Sequence, residues 1–165
     1  MTVGSLAEGE AVGLVQKTIV DPKGKRLEAL VVKKGGYFSK SLVVSIADII
    51  EIEKNGVVIN REDSLVEKEE IHKIAQIIDS RFEIFNLPAV TKDGKRLGRI
   101  QDVLIDGRSG EILRLYVKGL VSKRVIDRSQ IIKITLKEAV VAPDEALIKQ
   151  SDQEDRPVVL DANIA

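Results

Sequence analysis

The sequence predicts a mainly β protein built as two small β-barrels in tandem, joined by an α-helix. Three observations carry the prediction. One pattern occurs twice: Gly9, Gly13, Asp21, Gly24 and the apolar stretch Leu27 to Val32 in the first copy, then Gly94, Gly98, Asp106, Gly110 and Ile112 to Val117 in the second. An offset of 85 residues superimposes the first glycines and the aspartate, and one inserted turn residue makes it 86 at Gly24 and Gly110. A repeat of this length fixes the architecture before any motif is considered. Val and Ile number 20 each against five aromatics, and β-branched side chains fit a pleated, half-buried surface. Only one stretch has convincing helical spacing, and it lies between the copies. The boundaries are a first barrel over 1–62, a connecting helix over 63–82, a second barrel over 83–143 and an acidic C-terminal tail over 144–165.

In the first copy, Val12 to Val20 reads as a strand, Asp21 to Gly24 as a turn, and Leu27 to Val32 as the partner strand. Gly35-Gly36 opens a longer loop. Ile49 to Ile52 matches Ile131 to Ile134. Asn55-Gly56 has hairpin-turn chemistry and leads into Val57 to Ile59. Only Met1 to Glu8 precede Gly9, so the opening strand of this barrel is expected to be short, or borrowed.

The helix is predicted over about Leu65 to Ser80. Ser64 and Glu67 form a capping-box pattern, in which the hydroxyl caps a free backbone N–H and the carboxylate reaches back. Ile71, Ile74, Ala75, Ile78 and Phe82 follow at helical spacing, with Lys68, Glu69, His72, Lys73 and Gln76 on the other face. The helix is expected to pack against one or both barrels and make the tandem one unit.

In the second copy, Ala89 to Thr91 leads through the Asp93-Gly94 turn into a strand over Leu97 to Ile105. Gly98 inside that strand signals a bulge or a close backbone approach. Asp106 to Gly110 is a turn. Glu111 to Lys118 alternates, with Leu113, Leu115 and Val117 to one side and Arg114, Tyr116 and Lys118 to the other. Val125-Ile126, Ile131 to Leu136 and Ala139 to Ala142 complete the set.

Composition excludes several chemistries. There is no cysteine, so neither a disulfide framework nor a thiolate metal site exists. His72 is the only histidine and cannot assemble a zinc site. The pairs Glu51/Glu53 and Asp102/Asp106 share strand faces, but Asp21 and Asp106 read as turn caps that accept from the backbone two residues on. Gly24-Lys25 lacks the remainder of a phosphate-binding loop. No catalytic, cofactor or metal residue is therefore expected, and the chain is read as a non-enzyme. The start of the chain lacks a signal-peptide pattern, and no apolar run approaches the roughly 20 residues that span a bilayer. A cytoplasmic protein is expected.

Charge is uneven although the net is zero. Residues 82–142 carry 12 basic and 7 acidic side chains, net +5, and residues 143–165 carry 2 and 6, net −4. Such asymmetry favours a polyanionic or acidic partner. Lys92, Lys95, Arg96, Arg99, Arg108, Arg114, Lys118, Lys123, Arg124 and Arg128 could follow a phosphate backbone. Tyr116 is the one aromatic between Val90 and Ala142, too few for base-stacking recognition of single strands. Contact with structured RNA stays open beside docking on a protein, and no DNA contact is expected. The candidate partner-binding patch is Arg114, Tyr116, Lys118, Lys123 and Arg124. Tyr116 is its best anchor, because aromatic and Arg residues dominate interface energetics. A homo-oligomer is compatible with these surfaces. The acidic tail, Asp144 to Asp161, could cover the patch.

The unbroken stretch Leu87 to Asp106, with Gly94-Lys95-Arg96-Leu97-Gly98 and Ile100-Gln101-Asp102 inside it, continued by Gly110 to Val117, resembles the PRC-barrel family. Members show a Gly-x-x-Leu-Gly turn, a Val/Ile-x-Asp strand, an Asp turn ending in Gly, and an apolar strand. The likeness covers about residues 84–142; residues 1–60 fit more loosely, with Lys17 where the second copy has Asp102 and Val12 where it has Leu97. The resemblance implies PRC-type barrels of about six strands. It also implies docking onto a larger assembly, as in the cytoplasmic part of the photosynthetic reaction-centre H subunit and the C-terminal half of the ribosome-maturation factor RimM. Nothing in these residues resembles the N-terminal half of RimM, no anchor like that of the H subunit is expected, and neither specific role carries over. The expected function is a protein-docking adaptor that uses its barrel surfaces. The alternative is an RNA-associated ribosome-assembly or rRNA-processing factor resembling the PRC-barrel half of RimM.

Overall fold

A computed structural model of the chain describes residues 1–35, 40–53, 55–143 and, for the backbone only, 148–149. The first barrel comprises β1 (Thr2–Ser5), β2 (Glu10–Asp21), β3 (Arg26–Lys33), β4 (Ser41–Ser45), β5 (Ile49–Glu53) and β6 (Gly56–Ile59). One helix, α1 (His72–Asp79), follows. The second barrel comprises β7 (Pro88–Thr91), β8 (Arg96–Ile105), β9 (Ile112–Lys118), β10 (Lys123–Asp127), β11 (Ile131–Ile134) and β12 (Ala139–Val141), and β13 (Ile148–Lys149) adds to its edge. The sheet orders are β4-β3-β2-β1-β6-β5 and β11-β12-β7-β8-β9-β10-β13, so the six barrel strands follow one topology twice. In each, the first and sixth strands run parallel and the other barrel pairs antiparallel.

Alternation along the strands places Val15, Leu30, Val32 and Val44 inside the first barrel and Ile100, Leu115, Val117 and Ile126 inside the second, all nearly or fully buried. The pairing shifts register between Val15 and Lys17 in β2, and at the matching place between Ile100 and Asp102 in β8. A bulge bends its strand and raises the local twist, which lets a short sheet curl. Gly98 takes φ +140°, and a Cβ there would lie 2.1 Å from Lys118 O, so the close backbone approach expected of it is present.

β1 takes the first of the two forms expected of it. It is short and not borrowed: residues 2–5 supply a strand of four residues, as long as its counterpart β7, paired to β2 and β6 as β7 is to β8 and β12. Leu113 corrects an expectation. It lies 38% exposed rather than buried, because Leu104 faces Arg114 while Ile105 faces Ile112, leaving Leu113 as the extra residue of a bulge.

The helix is shorter than its sequence signal. Residues 65–71 do not join it. Val66 is held by the sheet, donating to Val43 O at 3.0 Å and accepting from Val43 N–H at 2.8 Å, and Leu65 is buried in the core. Sheet pairing and burial outweigh the Ser64–Glu67 pattern; Ser64 instead ends a 3₁₀ turn, Glu62–Ser64. The reciprocal cap falls at Glu67 and Glu70, where Glu67 N–H donates to Glu70 Oε1 at 3.0 Å at the head of a second 3₁₀ turn. Phe82 lies beyond the helix in the main core.

The helix packs on the first barrel, and the core that joins the two lies elsewhere. Ile74 packs with Ile19, Ala29 and Val43 on the outer face of β2–β3–β4, with Val31, Val66, Ile71, Ile77 and Ile78 around them. The barrels are joined elsewhere, by their equivalent turns. Leu27 N–H donates to Gly110 O at 2.7 Å and Ile112 N–H to Lys25 O at 3.0 Å. The first bond runs from barrel 1 to barrel 2 and the second runs back, so the joint has a local two-fold character. Arg26 Nη2 donates to Ser109 O at 2.9 Å, and Arg128 donates to Lys25 O and Ile112 O and pairs with Glu111 at 3.0 Å. One hydrophobic cluster runs through both barrels and takes in Leu65, Phe82, Ile84 and Leu87 from the connection.

Each barrel also protects its fourth strand. Val66 bridges Val43 on β4, and Ile148 pairs with Val125 on β10. Each follows the end of the preceding strand (Ile59 or Val141) by seven residues. Covering an edge removes a template for unwanted strand pairing. The remainder of the predicted acidic tail lies outside the described residues.

Candidate docking face

The outer face of β8–β9–β10 carries most of the predicted patch. Register places Asp102, Tyr116 and Val125 side by side in one row and Leu104, Arg114 and Asp127 in the next. The equivalent rows of barrel 1 are Lys17, Val31 and Val43, then Ile19, Ala29 and Ser45. Those positions are the seat of α1: Ile19, Ala29 and Val43 are 3%, 0% and 2% exposed beneath Ile74. In barrel 2, Leu104, Tyr116 and Val125 are half-buried and Arg114 is exposed. Among the described residues, no helix stands over them.

Arg114 is held across the strands. Its Nε donates to Asp127 Oδ1 at 2.8 Å, and that bond, with a further hydrogen bond to Tyr116, raises its pKa beyond the usual arginine range. Asp127 also caps the next turn, its N–H donating to Gln130 Oε1 at 3.0 Å. Lys118 and Lys123 face each other at the hairpin end of the same face.

Arg124 leaves the exterior patch. It pairs with Val117 on the inward side, where barrel 1 has Leu42 opposite Val32, and it is 9% exposed with Nη1 donating to Ser122 Oγ at 2.7 Å. Consecutive strand residues point to opposite faces, so Lys123 and Arg124 could not both be outside.

The aspartates read as turn caps do cap turns. Asp21 accepts from Lys23 N–H at 2.9 Å, and Asp106 accepts from Arg108 N–H at 3.1 Å and Ser109 N–H at 2.7 Å. The Ser109 bonds hold Asp106 below the usual carboxylate range. His72, Glu51 and Glu53 are exposed on α1 and β5. An open groove of about 910 Å³ on barrel 1 is lined by Met1, Thr2, Ala11 to Gln16 and Lys33 to Gly35, without a carboxylate or imidazole.

Leu104 and Val125 belong to the face but not to the predicted patch. The signal for them was in β3 and β9. Ala29, Leu30, Val31 and Val32 run apolar without a break, as in a strand covered on both sides, whereas Arg114 to Lys118 alternates.

No helix among the described residues is long and apolar enough to cross a membrane. No curated protein matches the chain. The family model for the PRC-barrel domain matches residues 3–65 and again residues 79–154. With both matches falling on the two six-stranded units, the chain belongs to the PRC-barrel family and carries the domain twice.

Proposed function

We propose that this chain is a non-enzymatic docking adaptor that seats a segment of a larger protein assembly on the outer face of β8–β9–β10. One observation carries the reading. The same face of barrel 1 is a helix seat filled by α1, while in barrel 2 no described residue fills it and Arg114 and Tyr116 replace Ala29 and Val31. Tyr and Arg beside half-buried Leu104 and Val125 match the composition of interface hot spots. The incoming segment covers Leu104 and Val125 and presents a carboxylate to Arg114, whose exposed pair with Asp127 is cheap to exchange.

The RNA-associated alternative draws less support. Of the cations that would follow a phosphate backbone, Arg128 is tied into the joint between the barrels by Lys25 O and Glu111, and Arg124 is buried on the inward side. The test uses the absence of cysteine. A Val125→Cys chain keeps Arg114 and Tyr116, carries one thiol and takes one photo-cross-linker. The expected result is a discrete protein cross-link in the native cytoplasm that survives RNase and is lost with Arg114→Glu. Cross-links that disappear with RNase overturn the reading in favour of RNA.

A further inference from the structure

The β9–β10 hairpin ends in two aliphatic side chains with nothing over them. Gly119 N–H donates to Ser122 O at 2.8 Å, which makes Leu120 and Val121 the two-residue loop. They are 105% and 99% exposed. Hairpin loops of this length normally hold Gly, Asn or Asp. Neither residue supports the barrel from that position.

Immediately below the tip, three cations stand in adjacent register. Lys123 faces Lys118, and Lys118 faces Arg99. Like charges directly opposite each other on a sheet are destabilising. Among the described residues, no carboxylate pairs with Lys118 or Lys123. The fold does not require this row, for in barrel 1 the matching residues are Leu14, Lys33 and Ser41. An exposed apolar tip over an uncompensated basic row breaks two local rules at once, as happens at functional sites.

We propose that this hairpin seats the protein on an anionic lipid bilayer, with Leu120 and Val121 entering the headgroup boundary and Lys118, Lys123 and Arg99 meeting lipid phosphates. The order of the groups fits that surface. An interfacial element buries its apolar part about 5–10 Å deep and keeps its cations at headgroup level. Long lysine stems let the ammonium groups reach the phosphates while the chain beneath them stays apolar. Two aliphatic residues and three cations give reversible attachment rather than a permanent anchor. The site goes beyond the docking face: the tip lies outside the rows around Tyr116, although Lys118 and Lys123 border both.

The test is flotation of the full chain with vesicles of phosphatidylcholine alone, and of phosphatidylcholine and phosphatidylglycerol in equal parts. Binding is expected only to the second, with loss as salt rises. The double variant Leu120→Ser, Val121→Ser should bind at least about tenfold more weakly, since each side chain is fully exposed in solution and half or more covered in the bilayer. Lys118→Gln and Lys123→Gln should each cost about fivefold. The chain has no Trp, so Leu120→Trp gives a single emitter whose spectrum should shift to the blue on anionic vesicles and be quenched by brominated lipid. All these sites are solvent-exposed, so no thermal midpoint should fall below the wild-type value, and removing either of the facing lysines should raise it slightly, which separates binding from folding. Failure of the wild type to float, equal binding to neutral vesicles, or an unshifted emission spectrum from the Leu120→Trp variant overturns the proposal. So does loss of the residue-125 cross-link in the tip variants without loss of flotation, which would assign the tip to the protein interface. If flotation fails while that cross-link persists, the membrane site falls and the docking reading stands.

Discussion

Gly110→Ala should break the joint between the barrels. Gly110 takes φ +74°, in the left-handed region, where an L side chain costs roughly 1–2 kcal/mol. A Cβ there would also lie 2.5 Å from Leu27 O and 3.0 Å from Ile46 Cγ1. The nearer atom is backbone at the start of β3, so no side-chain rotation relieves the clash, and the turns must part. That weakens the Leu27–Gly110 and Ile112–Lys25 hydrogen bonds, each worth about 1 kcal/mol net. The expected loss is about 2–4 kcal/mol. Urea unfolding followed by far-UV circular dichroism would read it as a lower midpoint. Gly107→Ala is the control: its Cβ would approach nothing nearer than Ile52 O at 4.0 Å, and it should stay within about 0.5 kcal/mol of wild type. A Gly110→Ala midpoint as close to wild type as the control would show that the paired turns do not hold the barrels together.

The remaining expectations concern the helix seat, its ion pairs and the buried arginine. Ile74→Ala should cost about 2–5 kcal/mol in the same unfolding assay, because Ile74 is 2% exposed over Ile19, Ala29 and Val43; a cost under about 1 kcal/mol would mean α1 is not seated there. Lys73 bonds Glu28 at 2.7 Å and Asp21 at 3.1 Å, and these bonds, Glu28 first, raise its pKa. Its contribution is fully present below the ordinary lysine range and is lost as pH rises through the raised value. For Asp21, burial pulls the pKa up, but Lys73 and the Gly24 and Lys23 N–H groups outweigh it and hold it low. That contribution is present above the ordinary aspartate range and is lost as pH falls through the lowered value. Lys73→Met should therefore differ most from wild type between those limits, and urea midpoints against pH should converge at both ends. Arg124→Glu should lower the unfolding midpoint while Lys123→Glu, facing Lys118, should leave it at or above the wild-type value, since only Arg124 points inward; a fall in both would contradict that placement.

The duplication and the strand sequence were legible because glycine spacing and β-branched runs report backbone geometry directly. The limits of the helix were not. Ser64 and Glu67 have the right types and spacing for a cap, but Val66 is also a β-branched residue within reach of the open edge of β4. Local patterns cannot weigh a cap against a partner 23 positions earlier in the chain, and the sheet wins. The exposed patch is legible at Arg114 and Tyr116, where period two is unbroken. It is not legible at Arg124, where charge points to the exterior although the neighbouring Lys123 already occupies the outer face. Leu113 misleads for a related reason: one extra residue in the β9 ladder inverts the alternation at its start.

The two copies agree where the ladder demands it and part where it does not. Inward positions stay aliphatic, except that Arg124 stands where barrel 1 has Leu42: Val15 and Ile100, Leu30 and Leu115, Val32 and Val117, Val44 and Ile126. Many outward positions diverge in charge or size: Lys17 and Asp102, Ala29 and Arg114, Val31 and Tyr116, Leu14 and Arg99, Ser41 and Lys123, while Val43 and Val125, and Lys33 and Lys118, keep one residue type. A filled interior tolerates volume-conserving changes and little else, so divergence at the centre of the barrel is closed off by packing, and the one inward charge lies near the strand end. The joint uses an equivalent turn from each copy and leaves neither free. Edge protection likewise takes a return strand from each. The outer face of the second to fourth strands and the tip of the hairpin between the third and fourth remain, and they differ most between the copies. In the first barrel that face is spent on α1; in the second, its replacement by Arg114 and Tyr116 adds nothing to the core that Ala29 and Val31 would not. The physical argument for docking therefore rests on asymmetry between copies rather than on any single residue. It predicts that replacing Arg114 and Tyr116 together with Ala and Val should leave the unfolding midpoint unchanged or higher while abolishing the RNase-resistant cross-link read from Val125→Cys. A large fall in stability would instead make the pair structural and remove the asymmetry as an argument for function.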